Sequence, residues 1–223
     1  MSKRIVLPPQ ATVKRLSVYL RHLTYIESEG AKVISSHELA EKLALNPAQV
    51  RKDLAYFGYF GKRGVGYSIN KLRDSIIKIL GLEDVRKVGI VGAGGRLGRA
   101  LASYTGFQKR NFQIVALFDN NPELIGKTCE ECVDAGKILS ETEIPKIVKE
   151  RKIDILILSV PVGAVDDVYK YVVKSKVKAV LNFAPYKLIS TDDITINNVD
   201  LTIDLESLSY ELNKRNIKQK AED

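Results

Sequence analysis

The sequence predicts an α/β protein in two parts, a small helical module followed by a doubly wound parallel sheet. Three observations predict it. A glycine-rich string, GIVGAGGRLGRAL (89–101), lies between an apolar run and a helix-like pattern. Apolar runs and amphipathic segments then alternate through VKAVLNFAP (177–185), as strands and helices do in such sheets. The positive charge is confined to one end: residues 1–80 carry 14 Lys/Arg against 6 Asp/Glu, and the rest of the chain carries 21 of each.

The chain has 223 residues, 45% hydrophobic and 28% charged, enough for one large domain or two modest ones. No uninterrupted apolar run reaches membrane-spanning length, and MSKRIVLPPQ lacks the apolar centre of a signal peptide. A cytoplasmic protein with no membrane partner is therefore expected. The net charge of +8 lies wholly ahead of the glycine string. That implies a polyanionic partner, most simply nucleic acid, with a solvated basic surface as the bland alternative. Cys129 and Cys132 form a C-x-x-C in KTCEECVD. Zinc needs four ligands, and His22 and His37 lie about a hundred residues away, so no metal is expected. A redox pair normally caps a helix, whereas this one follows Gly126 in a turn region; two buried or loop thiols are expected.

The helices of the first eighty residues carry their own start and stop signals. LPPQATVKRLSVYLRHLTYIESEG (7–30) opens on two prolines, and Val13, Leu16, Leu20, Leu23 and Ile26 recur at helical steps until Gly30. SSHELAEKLAL (35–45) has a Ser35–Glu38 capping box and an apolar stripe of Leu39, Leu43 and Leu45. In NPAQVRKDLAYFG (46–58), Asn46 caps, Pro47 takes the first helical position and Gln49 completes a second box. Two short helices joined by a tight turn make a helix-turn-helix. Val50, Leu54 and Phe57 face inward, leaving Gln49, Arg51, Lys52 and Tyr56 as donors for base edges and phosphates in a major groove. GYFGKRGVGYSI (58–69) then reads as a hairpin wing whose tip carries Lys62 and Arg63. The next helix, INKLRDSIIKIL (69–80), buries Leu72, Ile76, Ile79 and Leu80, and the charged GLEDVRK (81–87) marks a domain boundary.

Beyond it RKVGIVG (86–92) is a buried strand, RLGRALASYTGF (96–107) a helix and FQIVALFDN (112–120) a second strand. KIDILILSVP (152–161) and VKAVLNFAP are further buried strands, with the helix VGAVDDVYKYVVKS (162–175) between them. In the loop Gly92, Ala93, Gly94, Gly95, Arg96, Leu97 and Gly98 form a dinucleotide cradle. Gly92 allows the tight turn, Gly94 a close backbone approach, and the helix N-terminus supplies N–H donors to a pyrophosphate. The spacing is G-x-G-x-x-x-G, one residue longer than the usual fingerprint, and Gly95 is expected to absorb the addition. Asp119, 27 residues past Gly92, is placed to accept from both ribose hydroxyls and to repel a 2′-phosphate, which selects NAD(H) over NADP(H). Its alternative is a turn-forming aspartate ahead of Asn120, Asn121 and Pro122. Val160 and Pro161 after the fourth strand, with Phe183, Ala184 and Pro185 after the fifth, are expected to line an apolar nicotinamide pocket. Such a pocket disfavours cationic NAD⁺ and makes it a weaker competitor of neutral NADH.

Catalytic residues are lacking. No histidine follows the glycine string, which excludes a His-based dehydrogenase. Tyr210 and Lys214 make a Y-x-x-x-K, but the loop has the reverse glycine order of short-chain dehydrogenases. Leu201, Leu205, Leu208 and Leu212 instead mark an amphipathic helix there. The rival readings are an NAD-dependent oxidoreductase with a basic extension, and a nucleotide- or acyl-CoA-binding α/β domain.

VRKDLAYFG (50–58), GKRGVGY (61–67), LGRALASYTGF (97–107), ALFDNNPE (116–123), VLNFAP (180–185) and NVDLTIDLESLSYEL (198–212) together resemble the Rex family of redox-sensing transcriptional repressors, over nearly the full chain. The resemblance implies a non-enzymatic homodimer. A winged helix-turn-helix (1–82) binds operator double-stranded DNA, a Rossmann-like parallel-sheet domain (83–203) binds NADH, and a C-terminal dimerisation helix (204–223) swaps between subunits. It further implies that Tyr104, beside the cofactor, meets Asp200 of the other subunit, and that Arg21 competes for this aspartate in the DNA-bound form. The leucine stripe has intrachain packing as its alternative.

Overall fold

Pro9 leads into α1 (Gln10–Ser28), whose one-sided row of Leu16, Tyr19, Leu20 and Leu23 is fully buried. The structure, a computed structural model, describes residues 8–58, 61–62, 64–129 and 135–222, and divides into two units between Asp84 and Val85.

In the first unit α1 is followed by β1 (Val33–Ile34), α2 (Ser36–Lys42), α3 (Pro47–Ala55), the strands β2 (Gly61–Lys62) and β3 (Gly66–Ser68), and α4 (Ile69–Ile79). The Ser35 box is present: Ser35 Oγ accepts from the Glu38 N–H at 3.1 Å, and Glu38 Oε2 accepts from the Ser35 N–H at 2.7 Å. Asn46 Oδ1 caps α3 by accepting the Ala48 N–H at 2.8 Å, with Pro47 at the first position. The expected second box is a correction. Gln49 does not reach back to Asn46, because its amide donates to the buried Asp53 instead. The hairpin β2–β3 is joined by β1 into an antiparallel sheet in the order β1-β3-β2. Leu39, Val50, Leu54, Ile69, Leu72 and Ile76 complete the core with α1.

The second unit contains β4 (Arg86–Val91), α5 (Arg96–Ala102), β5 (Phe112–Asp119), β6 (Ile138–Ser140), α6 (Ile144–Arg151) and β7 (Ile155–Leu158). Then come α7 (Val165–Ser175), β8 (Ala179–Asn182), β9 (Thr195–Asn198) and α8 (Leu201–Glu222). The sheet is parallel throughout, in the order β6-β5-β4-β7-β8-β9. Its direction of winding reverses between β4 and β7, the switch point outside which such sheets bind ligands. Strand alternation divides the core in two: Leu156 and Leu158 face a cluster with α6 and α7, Ile155 and Ile157 a cluster on the side of α5.

Two helices differ from expectation. The segment 96–107 is helical only to Ala102; the Ser103 hydroxyl donates to the Arg99 and Ala100 carbonyls, and the chain then turns through Tyr104–Phe107. The last helix starts at Leu201, and residues 201–215 are exposed on every side. The leucine stripe therefore has no intrachain packing partner among the described residues. No helix there is long and apolar enough to cross a membrane, and no group of three or more metal-ligating side chains gathers there. Cys132 and Arg63 lie outside the described residues; Cys129 is half-buried.

Candidate functional site

The glycine string folds into a loop wedged between two strand ends. Gly92, at φ +82°, turns the chain out of β4, and a Cβ there would lie 2.8 Å from the Ser159 carbonyl oxygen just past β7. Ser159 Oγ donates to the Val91 carbonyl at 2.9 Å and ties the two strand ends together. At Gly98 a Cβ would lie 2.8 Å from Ala93 Cα and closer still to the Gly92 carbonyl oxygen, so the first turn of α5 rests directly on the loop. Gly95 is the residue before α5, at φ −69° and ψ 162°, in ordinary extended backbone. Ala93 is buried beneath, while Arg96 and Leu97 are exposed in the first turn, whose N–H groups have no intrahelical partner.

Asp119 ends β5 beside this loop, in parallel register with Ser140 of β6. Its carboxylate accepts the Gly94 N–H at 2.7 Å and the Asn121 N–H at 2.9 Å and is largely buried. The second bond is an Asx turn, so the turn-forming alternative is realised alongside the placement at the loop. Burial first, then the charges of Asp119 and Asp167, push the Glu141 carboxyl up from its ordinary value. Asp119, Glu141 and Asp167 thus form an acidic group near the ends of β5 and β6.

The expected apolar residues fall on two sides of the sheet. Val160 and Ala184 are buried in the cluster of α6 and α7, whereas Phe183 packs against the cluster of Ile90, Leu117 and Ile157. Pro161 and Pro185 are exposed at the rim. The sequence reading missed Asn182. Fully buried, it donates to the Tyr186 carbonyl at 2.7 Å and to Asn198 Oδ1 at 2.9 Å, and accepts the Ala184 N–H at 3.0 Å. It fixes the loop that carries Phe183; its one signal was a lone amide inside VLNFAP.

In the first unit α3 buries Val50 and Leu54 and leaves Arg51, Lys52 and Tyr56 exposed. Arg51 Nη1 donates to Ser36 Oγ across to α2 at 3.1 Å. Lys62 lies on β2. Asp53 was also missed. It is wholly buried and accepts from Thr12, Arg15 and Tyr19 of α1 and from Gln49 of α3. Burial alone would raise its pKa, but the hydrogen bonds from Arg15, Tyr19 and Gln49 outweigh it and hold the carboxyl below the usual range. Burial, followed by the Asp53 carboxylate, pushes the Tyr19 phenol up.

Residues 9–55 match the family described as "Putative DNA-binding protein N-terminus", and residues 83–186 match "CoA binding domain". The redox-sensing transcriptional repressor Rex of Desulforamulus reducens is 44% identical over 204 residues, 92% of this chain and 95% of that one. The chain belongs to the Rex family of redox-sensing transcriptional repressors. A crystal structure of RSP, a Rex-family repressor, with β-NAD⁺ and operator DNA superposes with a TM-score of 0.88 at 34% identity, covering 97% of this chain and 98% of that one. RSP with β-NADH gives 0.84 at 33%, covering 96% and 99%. Three residues came from the Rex resemblance. Tyr104 is exposed, its ring edge-on to Phe107 at 5.1 Å. Asp200 caps α8 by accepting the Thr202 N–H at 2.9 Å. Arg21 is exposed on α1.

Proposed function

We propose that this chain represses transcription by holding operator DNA and releases it when NADH binds. The observation that carries this is the presence, in one Rex-family chain, of two distinct surfaces. One is an exposed cationic helix face, Arg51 and Lys52 with Tyr56. The other is a glycine loop converging with Asp119 at the switch point of a parallel sheet.

Gln49, Arg51, Lys52 and Tyr56 enter the major groove, and Lys62 and Arg63 belong to the wing, from which Arg63 reaches a minor groove. One N–H of the Gln49 amide is held by Asp53, which leaves its other N–H and its carbonyl oxygen for the DNA. The residues of the crevice fit a dinucleotide. The loop 92–98 leaves the first-turn N–H groups of α5 for the pyrophosphate, and the remaining lone pairs of Asp119 accept from the ribose diol. Phe183, on the α5 side of the sheet with Pro161 at the rim, offers an apolar surface to the nicotinamide, on which a cationic ring is costlier to desolvate, while Val160 and Ala184 are buried on the other side of the sheet. NAD⁺ is the weaker competitor for that reason. The ring is read rather than reacted, and the chain is a regulator rather than an enzyme.

The work divides among residues 1–82 for DNA, 83–203 for the dinucleotide and 204–223 for a homodimer built on the exposed leucines of α8. The cytoplasm is where this role is exercised. Tyr104 and Asp200 of the two subunits pair when NADH is bound, and Arg21 takes the aspartate when DNA is bound. A second reading, an acyl-CoA-binding domain, has the match of residues 83–186 in its favour. Titration by NADH fluorescence, with coenzyme A as competitor, distinguishes the two. Saturable NADH binding undisturbed by coenzyme A is expected, and coenzyme A binding with no response to NADH would overturn the proposal.

A further inference from the structure

We propose that Asp53 is the positioning residue for operator discrimination, its buried carboxylate fixing the rotation of α3 against α1 so that Arg51 and Lys52 meet base edges in register. The inference rests on α3 being the reading helix.

Five hydrogen bonds converge on this one carboxylate. Oδ1 accepts from Thr12 Oγ1 at 3.2 Å, Arg15 Nη2 at 2.7 Å and Gln49 Nε2 at 2.8 Å. Oδ2 accepts from Arg15 Nε at 2.6 Å and Tyr19 Oη at 2.7 Å. Thr12, Arg15 and Tyr19 stand three and four residues apart, on one face of α1. The Arg15 contact is side-on and bidentate, which fixes direction as well as distance. Asp53 itself follows Lys52 directly, so the residue clamped to α1 is the neighbour of the residue offered to DNA.

Stability alone does not require a charge here. Val50 and Leu54 already supply apolar contact on either side, and replacing a buried ion pair by apolar residues of similar volume is often neutral or stabilising. Apolar contact lacks direction, and a short helix held only by Val50 and Leu54 is free to roll. Side-chain tips lie roughly 5–6 Å from a helix axis, so a roll of about 20° moves them by about 2 Å, out of hydrogen-bond range. Phosphate attraction tolerates such a shift and base-edge contacts do not.

The test uses the full chain and a duplex enriched by it from a random-sequence pool, compared with a shuffled duplex of the same length at one salt concentration. Arg15→Met combined with Asp53→Leu removes one charge of each sign, leaving net charge and phosphate attraction unchanged. The ratio of selected to shuffled affinity is expected to fall about ten- to a hundredfold, what one or two misplaced base contacts are worth. A folded double variant with an unchanged ratio overturns the proposal, whatever its melting temperature. Should the double variant not fold, Tyr19→Phe decides. It keeps the packed ring and deletes one bond, so a loss of about two- to tenfold in the ratio is expected and an unchanged ratio is the refutation. Lys52→Ala separates the levels: if it keeps the ratio, the reading-helix assignment fails; if it alone loses the ratio, only the clamp fails.

Discussion

Two alanine substitutions three residues apart in the glycine string should have opposite outcomes. At Gly98 an added Cβ would sit 2.8 Å from Ala93 Cα, 2.9 Å from the Gly92 carbonyl carbon and nearer still to the Gly92 carbonyl oxygen. Ordinary carbon contacts are about 3.5–4.0 Å, so α5 must lift from the loop by roughly 1 Å. Every neighbour in the clash is backbone and cannot rotate away. Overpacking of this kind costs about 1–3 kcal/mol, and the lift also moves the α5 N-terminus away from any pyrophosphate in the loop. At Gly95 the added Cβ would meet only the Gly92 carbonyl oxygen, at 3.4 Å, in a backbone conformation open to any residue. Alanine there restricts the unfolded chain but is a poorer cap than glycine; these terms offset to within about 0.5 kcal/mol. Melting of each variant, followed by NADH fluorescence titration, measures both effects. Gly98→Ala should melt lower and lose NADH affinity at least tenfold, about 1.4 kcal/mol, while Gly95→Ala keeps both near wild type. Wild-type NADH affinity in Gly98→Ala would refute the packing argument.

Asp119→Ala should weaken NADH binding by about 1.5–3 kcal/mol, the value of hydrogen bonds to a charged group, and the wild type should bind NADPH far less well; equal affinity for the two would contradict the ribose placement. The first unit should lose stability in acid. The folded Asp53 pKa lies below its unfolded value, so its contribution is complete above the ordinary aspartate pKa of about 3.9 and disappears as pH falls through the folded value. Melting of the wild type should therefore drop more steeply at low pH than melting of the Arg15→Met/Asp53→Leu variant, and parallel curves would remove the ionised carboxylate from the account. Tyr104→Phe and Asp200→Ala should still bind DNA and NADH separately but respond less to each other. Anisotropy with and without NADH checks this, and undiminished coupling in both would discard the intersubunit pair.

Local signals were legible wherever one turn of chain contains the whole interaction. Ser35 with Glu38, Asn46 with Pro47, and the glycine string ahead of α5 each announce themselves over a few residues. The position of Asp119 was legible because the strand pattern ahead of Asn120, Asn121 and Pro122 places it at the end of β5. Asp53 was not: a carboxylate between Val50 and Leu54 reads as a break in the apolar face, and its partners on α1 lie 34 to 41 residues away. The same tertiary bond withdrew Gln49 from the expected capping box. Strand β6 has three residues and β9 is the polar edge segment TINN, too short or too polar for a buried-strand pattern. The end of α5 was missed because no glycine or proline lies between Gly98 and Gly106 to mark it; Ser103 follows its last residue, with its hydroxyl on the Arg99 and Ala100 carbonyls.

The central claim is that one chain couples two ligands, so the decisive quantity is the operator dissociation constant with and without saturating NADH. NADH must bind the DNA-free conformation more tightly, because a ligand with equal affinity for both states shifts nothing. Coupling of the usual size weakens operator binding about 5- to 150-fold, and by linkage the same factor must appear in NADH affinity when operator is added. The account predicts equal factors in the two directions. Tight binding of both ligands with operator affinity unchanged by NADH would contradict it.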